Sequence, residues 1–182
     1  SYIISKIKKN NNTIEILCIC DNVYPHERFI LDQFLLKMLF NKIDRFLTMS
    51  SITSSQIKRI MPNAVVSEIF LPIKDSFGEG ISKSLASKKL DIEDKKFTIL
   101  FFGLIRSYKG LDIALEAIKN LIQKNKNFKF IIAGECYENK NKYLNNINRN
   151  KINKYVLWYD KYISDDEIYL YFSASDLVLL PY

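Results

Sequence analysis

The sequence predicts an α/β protein built on parallel sheets, and three observations carry that reading. Short apolar runs without a helical period, such as Phe97 to Phe102 and Phe128 to Ala133, alternate with stretches whose apolar residues recur every three or four positions. Strand, helix, strand in regular alternation describes βαβ units, whose strands pair in parallel because each helix carries the chain back along the sheet. Two of the apolar runs stop at a glycine, Gly103 and Gly134. At 182 residues, with 48% apolar and 13% aromatic content, the chain can fill a core and amounts to one large domain or parts of two.

Residues 2–8 place Ile3, Ile4 and Ile7 on one helical face, and the asparagine run at 10–12 ends that element. Thr13 to Cys20 reads as a strand. The polar loop Asp21-Asn22-Val23-Tyr24-Pro25-His26-Glu27 follows at its carboxyl end, the edge where open α/β sheets bind ligands. His26 is the single histidine, and so the one side chain that titrates near neutrality without perturbation. Cys18 and Cys20 share a strand face; with Cys136 they fit buried thiols better than a metal site or a disulfide. From Glu27 to Ile43 the spacing of Ile30, Phe34, Leu35, Met38 and Leu39 predicts an amphipathic helix with that stripe in the core. Arg45 to Met49 is the next strand. Ser50 or Ser51 caps a helix through Ile60, Pro62-Asn63 ends it, and Val65 to Leu71 is a third strand. Pro72 to Asp94 offers few core anchors and reads as a linker.

After the strand Phe97 to Phe102, Leu111, Leu115, Ile118 and Ile122 mark one face of a helix. Phe128 to Ala133 is a buried strand, Asn139 to Asn150 a polar helix, and Lys154 to Tyr159 a strand. Ser164-Asp165-Asp166-Glu167 has the pattern of a capping box opening a helix to Ser173. Asp176 to Leu180 closes the series as a strand. Two Rossmann-like pieces are therefore expected: 1–75, a linker at 76–95, and 96–182. The first lacks its beginning and the second its end, so the chain reads as a fragment.

The stretch Phe97 to Asp112 joins a strand to a helix through a loop running from Gly103 to Gly110. Such a joint leaves backbone N–H groups and the positive end of the helix dipole beyond the strand's carboxyl edge, where an anion is held at least cost. Arg106 adds a planar fork of donors and Lys109 a compact ammonium, so the loop reads as a diphosphate cradle. The alternative is a loop whose basic residues only solvate it. No dinucleotide fingerprint or Walker loop is present. The net charge of +7 admits nucleic acid, an acidic membrane surface or phosphate-bearing ligands, but the lysines are spread among asparagines instead of gathered in one block. With no run of about 18 apolar residues and no signal segment, the cytoplasm is the expected location.

Three segments carry a resemblance to a known family. Cys20-Asp-Asn-Val-Tyr-Pro-His-Glu27 resembles the Asn-Val-x-Pro-His-Glu loop of one bacterial branch of the family 4 retaining glycosyltransferases. Phe101 to Asp112 is similar to the donor-phosphate loop of that family. Tyr162 to Glu167 and Phe172 to Tyr182 resemble the segment after its nucleobase contact. The resemblance implies the two-domain GT-B fold, with 1–75 on the acceptor side and 96–182 on the donor side. It implies a nucleoside-diphosphate sugar as donor and a glycan or lipid-linked acceptor, with peripheral membrane association, no nucleic acid, no metal and no cofactor. Gly103, Arg106 and Lys109 would hold the diphosphate, Gly134 would leave room for close approach, and Tyr162 and Ile163 would face the nucleobase. Arg106 and Lys109 would also act in catalysis by neutralising the leaving diphosphate, and His26 would serve at the acceptor or the sugar unless it is bonded within its own loop. The chain departs from the family at Leu104, where arginine is frequent, and at Asp21, where relatives have histidine. A GT-B sugar-nucleotide epimerase and a non-enzymatic basic binding module are the alternatives.

Overall fold

The computed structural model describes residues 2–25, 30–72, 77–93 and 95–182. The chain divides into two compact units, residues 1–73 and 74–182.

In the first unit, α1 (Tyr2–Asn10) precedes β1 (Leu17–Cys20), α2 (Asp32–Phe40), β2 (Arg45–Thr48), α3 (Ser51–Ile60) and β3 (Val65–Glu68). The strands pair in parallel in the order β1-β2-β3, with Cys18 opposite Phe46 and Phe46 opposite Val66. Cys20, Val23, Phe40, Phe46 and Ile57 form the core between sheet and helices. Ser50 caps α3 by accepting from the Thr53 amide at 3.2 Å, and buried Thr48 is bonded to Ser54 at 2.6 Å. The outer strands are shorter than the sequence predicts, four residues each in place of Thr13 to Cys20 and Val65 to Leu71. The central strand sets this limit, because β2 offers a ladder of only four residues. The expected core stripe of α2 is also corrected. Phe34 is 65% exposed and Leu35 55%, with Ile30 and Met38 exposed as well. Such short strands present a small face: Leu39 of the expected stripe packs on it, joined by Leu36 and Phe40 in place of the others. All three cysteines are free thiols, and burial pushes those of Cys18 and Cys20 up.

The second unit contains α4 (Lys83–Lys89), β4 (Phe97–Phe102), α5 (Leu111–Lys124), β5 (Phe128–Ala133), α6 (Lys140–Arg149), β6 (Val156–Tyr159), α7 (Asp165–Ser173) and β7 (Leu177–Val178). Its sheet is parallel in the order β6-β5-β4-β7. The period of two along β4 and β5 sorts the core. Ile99, Phe101, Phe130 and Ile132 pack on one face with Leu111, Leu115 and Ile118 of α5, while Leu100, Ile131 and Ala133 pack on the other with Ile163 and Tyr171.

Two expectations fail here. The segment read as a linker carries α4, capped by Ser82 through the Leu85 amide at 3.3 Å and burying Ala86 and Ser87 against the α7 side. Seven residues are too few to show a helical period in sequence. The capping box does not form, since the Ser164 side chain makes no cap bond and Glu167 pairs with Lys161 at 3.0 Å.

Asp176, just before the edge strand β7, ties three elements together. Its carboxylate accepts from Lys83 Nζ at 2.6 Å and from the Thr98 amide at 2.7 Å. Burial raises the acid, but those two bonds outweigh it and hold it below the usual carboxylate range. A depressed acid stabilises the fold above its unfolded value and loses that contribution as pH falls through its folded value. Replacing Asp176 with alanine should cost about 1–2 kcal/mol near neutrality, with solvent at this rim discounting the pair. In urea melts the gap from wild type should be full at pH 7 and close on acidification below about pH 4.

Candidate functional site

Because β4 and β5 are parallel neighbours, their following loops leave the sheet side by side at its carboxyl edge. The two loops continue the pairing: the Ile105 amide donates to the Glu135 carbonyl at 3.0 Å, and the Tyr137 amide to the Ile105 carbonyl at 3.2 Å. Gly103 and Gly134 make that approach possible. Gly134 has φ +144°, and a Cβ there would lie 2.0 Å from the Gly103 carbonyl oxygen. Its neighbour is therefore the adjoining loop, whereas the open space lies at Gly103, where a Cβ would meet nothing within 4 Å.

Beside these glycines lies a crevice of about 200 Å³ lined by Phe102, Gly103, Leu104, Gly134, Glu135, Tyr162, Ile163, Asp165 and Ile168. Four residues singled out in the sequence, Gly103, Gly134, Tyr162 and Ile163, thus share one wall. Ile163 is buried and Tyr162 exposed, so the crevice has an apolar floor and an accessible rim. Its aliphatic and aromatic side chains, with the acidic residues Glu135 and Asp165 among the lining, suit a flat ring with polar edges.

Arg106 and Lys109 stand on the same loop, outside the crevice wall and half-buried. A 3-10 turn, Ser107–Lys109, leads into Gly110 at φ +70°, which caps α5 without a side-chain bond. The Arg106 guanidinium lies 5.5 Å from the centroid of the Tyr137 ring. Lys109 Nζ lies 4.2 Å from the centroid of Tyr182 and donates to its hydroxyl at 3.1 Å. Glu138 fixes the loop from the other side by accepting from the Ser107 amide, from Ser107 Oγ at 2.7 Å and from the Tyr143 hydroxyl at 3.1 Å. Burial would raise the Glu138 acid, but its bonds to Ser107 and Tyr143 hold it low. Burial and that carboxylate push the Tyr143 hydroxyl up. Two cations at the start of a fourteen-residue helix, on a loop held from both sides, can bind an anion of high charge density.

Of the remaining predicted residues, His26 lies outside the described residues. Asp21, in the first unit, is exposed and accepts from Thr53 Oγ1 through its carbonyl at 3.1 Å. Among the described residues no cluster of three His, Cys, Asp or Glu side chains is placed to hold a metal, and no helix is long and apolar enough to cross a membrane. Sequence reasoning missed Glu135, Tyr137, Glu138, Asp165 and Tyr182. Position relative to the carboxyl ends of β5 and β7 is the signal that could have found the tyrosines and Glu138.

A family model described as "Glycosyl transferases group 1" matches residues 82–182, more than half of the chain. No curated protein matches. Among solved structures, sucrose-phosphate synthase from Thermosynechococcus elongatus is similar with a TM-score of 0.79 at 11% identity, over 97% of this chain and 47% of that one. HepE from Anabaena, solved in complex with UDP and glucose, gives 0.74 at 16% identity, over 97% of this chain and 48% of that one. WaaG, a glycosyltransferase involved in lipopolysaccharide biosynthesis, gives 0.68 at 12% identity, over 98% and 56%. These likenesses show the GT-B α/β fold, and the chain spans about half the length of the solved chains it matches.

Proposed function

The chain belongs to the glycosyl transferases of group 1, and from that premise we propose that it moves a sugar from a nucleoside-diphosphate donor to a glycan or lipid-linked acceptor. The observation that carries this is the loop with two cations, Arg106 and Lys109, at the start of α5 beside the crevice of Gly103, Gly134, Tyr162 and Ile163. The nucleobase enters the crevice against Ile163 and Tyr162, and the diphosphate lies along Gly103 to Lys109. As the bond to the sugar breaks, negative charge grows on the leaving diphosphate, where fixed cations lower the barrier most. Retention and membership of family 4 rest on the resemblance of the three sequence segments. The donor side is assigned to 96–182 and the acceptor side to 1–75, with His26 at the acceptor or sugar. HepE was solved with UDP and WaaG is involved in lipopolysaccharide biosynthesis, which supports a uridine nucleotide as first probe and a lipid-linked or polysaccharide acceptor. Work at the inner face of the cell membrane belongs to the same reading and rests on the resemblance alone.

Calorimetric titration with UDP and with uridine tests the reading. UDP should bind at least about 10-fold more tightly than uridine, since the margin measures the hold on the diphosphate. Lys109→Ala should remove most of that margin. Equal affinity of wild type and Lys109→Ala for UDP would falsify the assignment of this loop.

A further inference from the structure

Each cation of the loop following β4 meets a tyrosine ring from outside that loop, Lys109 at Tyr182 and Arg106 at Tyr137, and Lys109 also lies 5.5 Å from the ring of Tyr108 beside it. We propose that Tyr182 is a positioning residue that holds the Lys109 ammonium toward the donor diphosphate, and that Tyr137 does the same for Arg106. This rests on the reading of the loop as the donor-phosphate site, and deepens it by naming the groups that aim its cations.

Topology brings Tyr182 to Lys109. β7 pairs with β4 in parallel, and the Leu179 amide continues the pairing by donating to the Leu100 carbonyl at 2.8 Å. The residues beyond β7 therefore emerge next to the loop beyond β4. Pro181 lies against that loop: a Cβ on Gly110 would sit 3.0 Å from the Pro181 carbonyl oxygen and 3.2 Å from its Cγ. With Pro181 seated there, Tyr182 comes up under Lys109 and meets it in two ways, through the ring face at 4.2 Å and the hydroxyl at 3.1 Å. A lysine on four rotatable bonds otherwise samples many directions, and confining it in advance removes part of the ordering cost of binding. The ring occupies one side of the ammonium and the hydroxyl takes one of its three protons, so donors remain for an anion.

The Tyr137 arrangement is parallel. Its hydroxyl donates to Glu135 Oε2 at 3.0 Å, which anchors the far end of the ring while the face meets Arg106. Glu135 lines the crevice, so this anchor belongs to the same wall as Gly103.

The test uses the full-length protein with UDP, uridine and inorganic pyrophosphate as probes. Tyr182→Leu removes both contacts with little risk to the fold, because Tyr182 is 59% exposed. It should weaken UDP and pyrophosphate by about 3-fold to 10-fold and leave uridine unchanged. Tyr182→Phe keeps the ring and should recover most of the loss, which a merely structural role would not require. Tyr137→Leu should behave likewise. Lys109→Ala separates the two levels of the reading. If Lys109→Ala weakens UDP while Tyr182→Leu binds it as wild type does, the positioning role is wrong and the phosphate site stands. If Lys109→Ala itself has no effect, the site assignment fails first. In the double variant Lys109→Ala with Tyr182→Leu, the second change should add nothing; full additivity overturns the proposal.

Discussion

Gly134→Ala should destabilise the second unit by about 4 kcal/mol, among the largest costs a single methyl can carry here. Two effects add. At φ +144° an L side chain is strained before it touches anything, at roughly 1–3 kcal/mol. The new Cβ would also lie 2.0 Å from the Gly103 carbonyl oxygen and 2.7 Å from its carbon, both backbone atoms that no rotamer change can move. Hydrogen bonds pin the two loops on either side of the clash, the Gly103 amide to the Ala133 carbonyl and the Gly134 amide to the Tyr159 carbonyl, each at 3.0 Å. Relief therefore requires separating the loops beyond β4 and β5, which opens the crevice as well. Calorimetry should show a loss of roughly 10–20 °C in the melting midpoint, together with loss of UDP binding. Gly80→Ala is the internal control, since a Cβ there meets only Ser173 Oγ at 3.7 Å; it should be neutral or slightly stabilising. A Gly134→Ala protein as stable as Gly80→Ala would mean that the loops do not approach as described.

That Gly134 was legible as a special position, while its physical cause was not, illustrates where local sequence stops. β4 and β5 could be read because both faces of each strand are covered, which writes them as unbroken apolar runs. α5 could be read because a helix with one buried face shows its period over fourteen residues. α2 is apolar at almost every position from Phe34 to Phe40, so several stripes can be drawn on it, and Phe34 and Leu35 are exposed because a stripe records what a helix could bury and not what the neighbouring sheet offers. The Ser164 pattern failed for a similar reason: Glu167 had a cation, Lys161, within 3.0 Å. In the site, Gly103, Gly134, Tyr162 and Ile163 share a crevice because all follow the carboxyl ends of strands, a rule that needs only strand order. Glu138 and Tyr182 reach the loop from 31 and 73 residues away, and no local pattern encodes contacts of that span. Their placement follows from β5 and β7 flanking β4, which only the sheet order reveals.

The larger functional effect is expected at Arg106. Arg106→Ala should lower turnover by about 10²-fold to 10³-fold, equivalent to roughly 3–4 kcal/mol of transition-state stabilisation. A donor bound in its ground state already has a charged diphosphate, but breaking the bond to the sugar adds a further charge on the leaving oxygen. A guanidinium that meets this charge with two parallel N–H groups gains more in the transition state than in the bound donor. The fall should therefore appear mainly in kcat, with a smaller rise in the KM for the nucleotide sugar. Arg106→Lys restores the charge without the planar fork and should recover only part of the rate. The fold should tolerate both changes, since Arg106 is half-buried against the Tyr137 ring and belongs to no core cluster. Steady-state release of nucleoside diphosphate, with the nucleotide sugar that gives the largest thermal shift, supplies the measurement. If Arg106→Ala keeps kcat within about threefold of wild type, the developing charge is met elsewhere and Arg106 serves only to hold the loop on Tyr137.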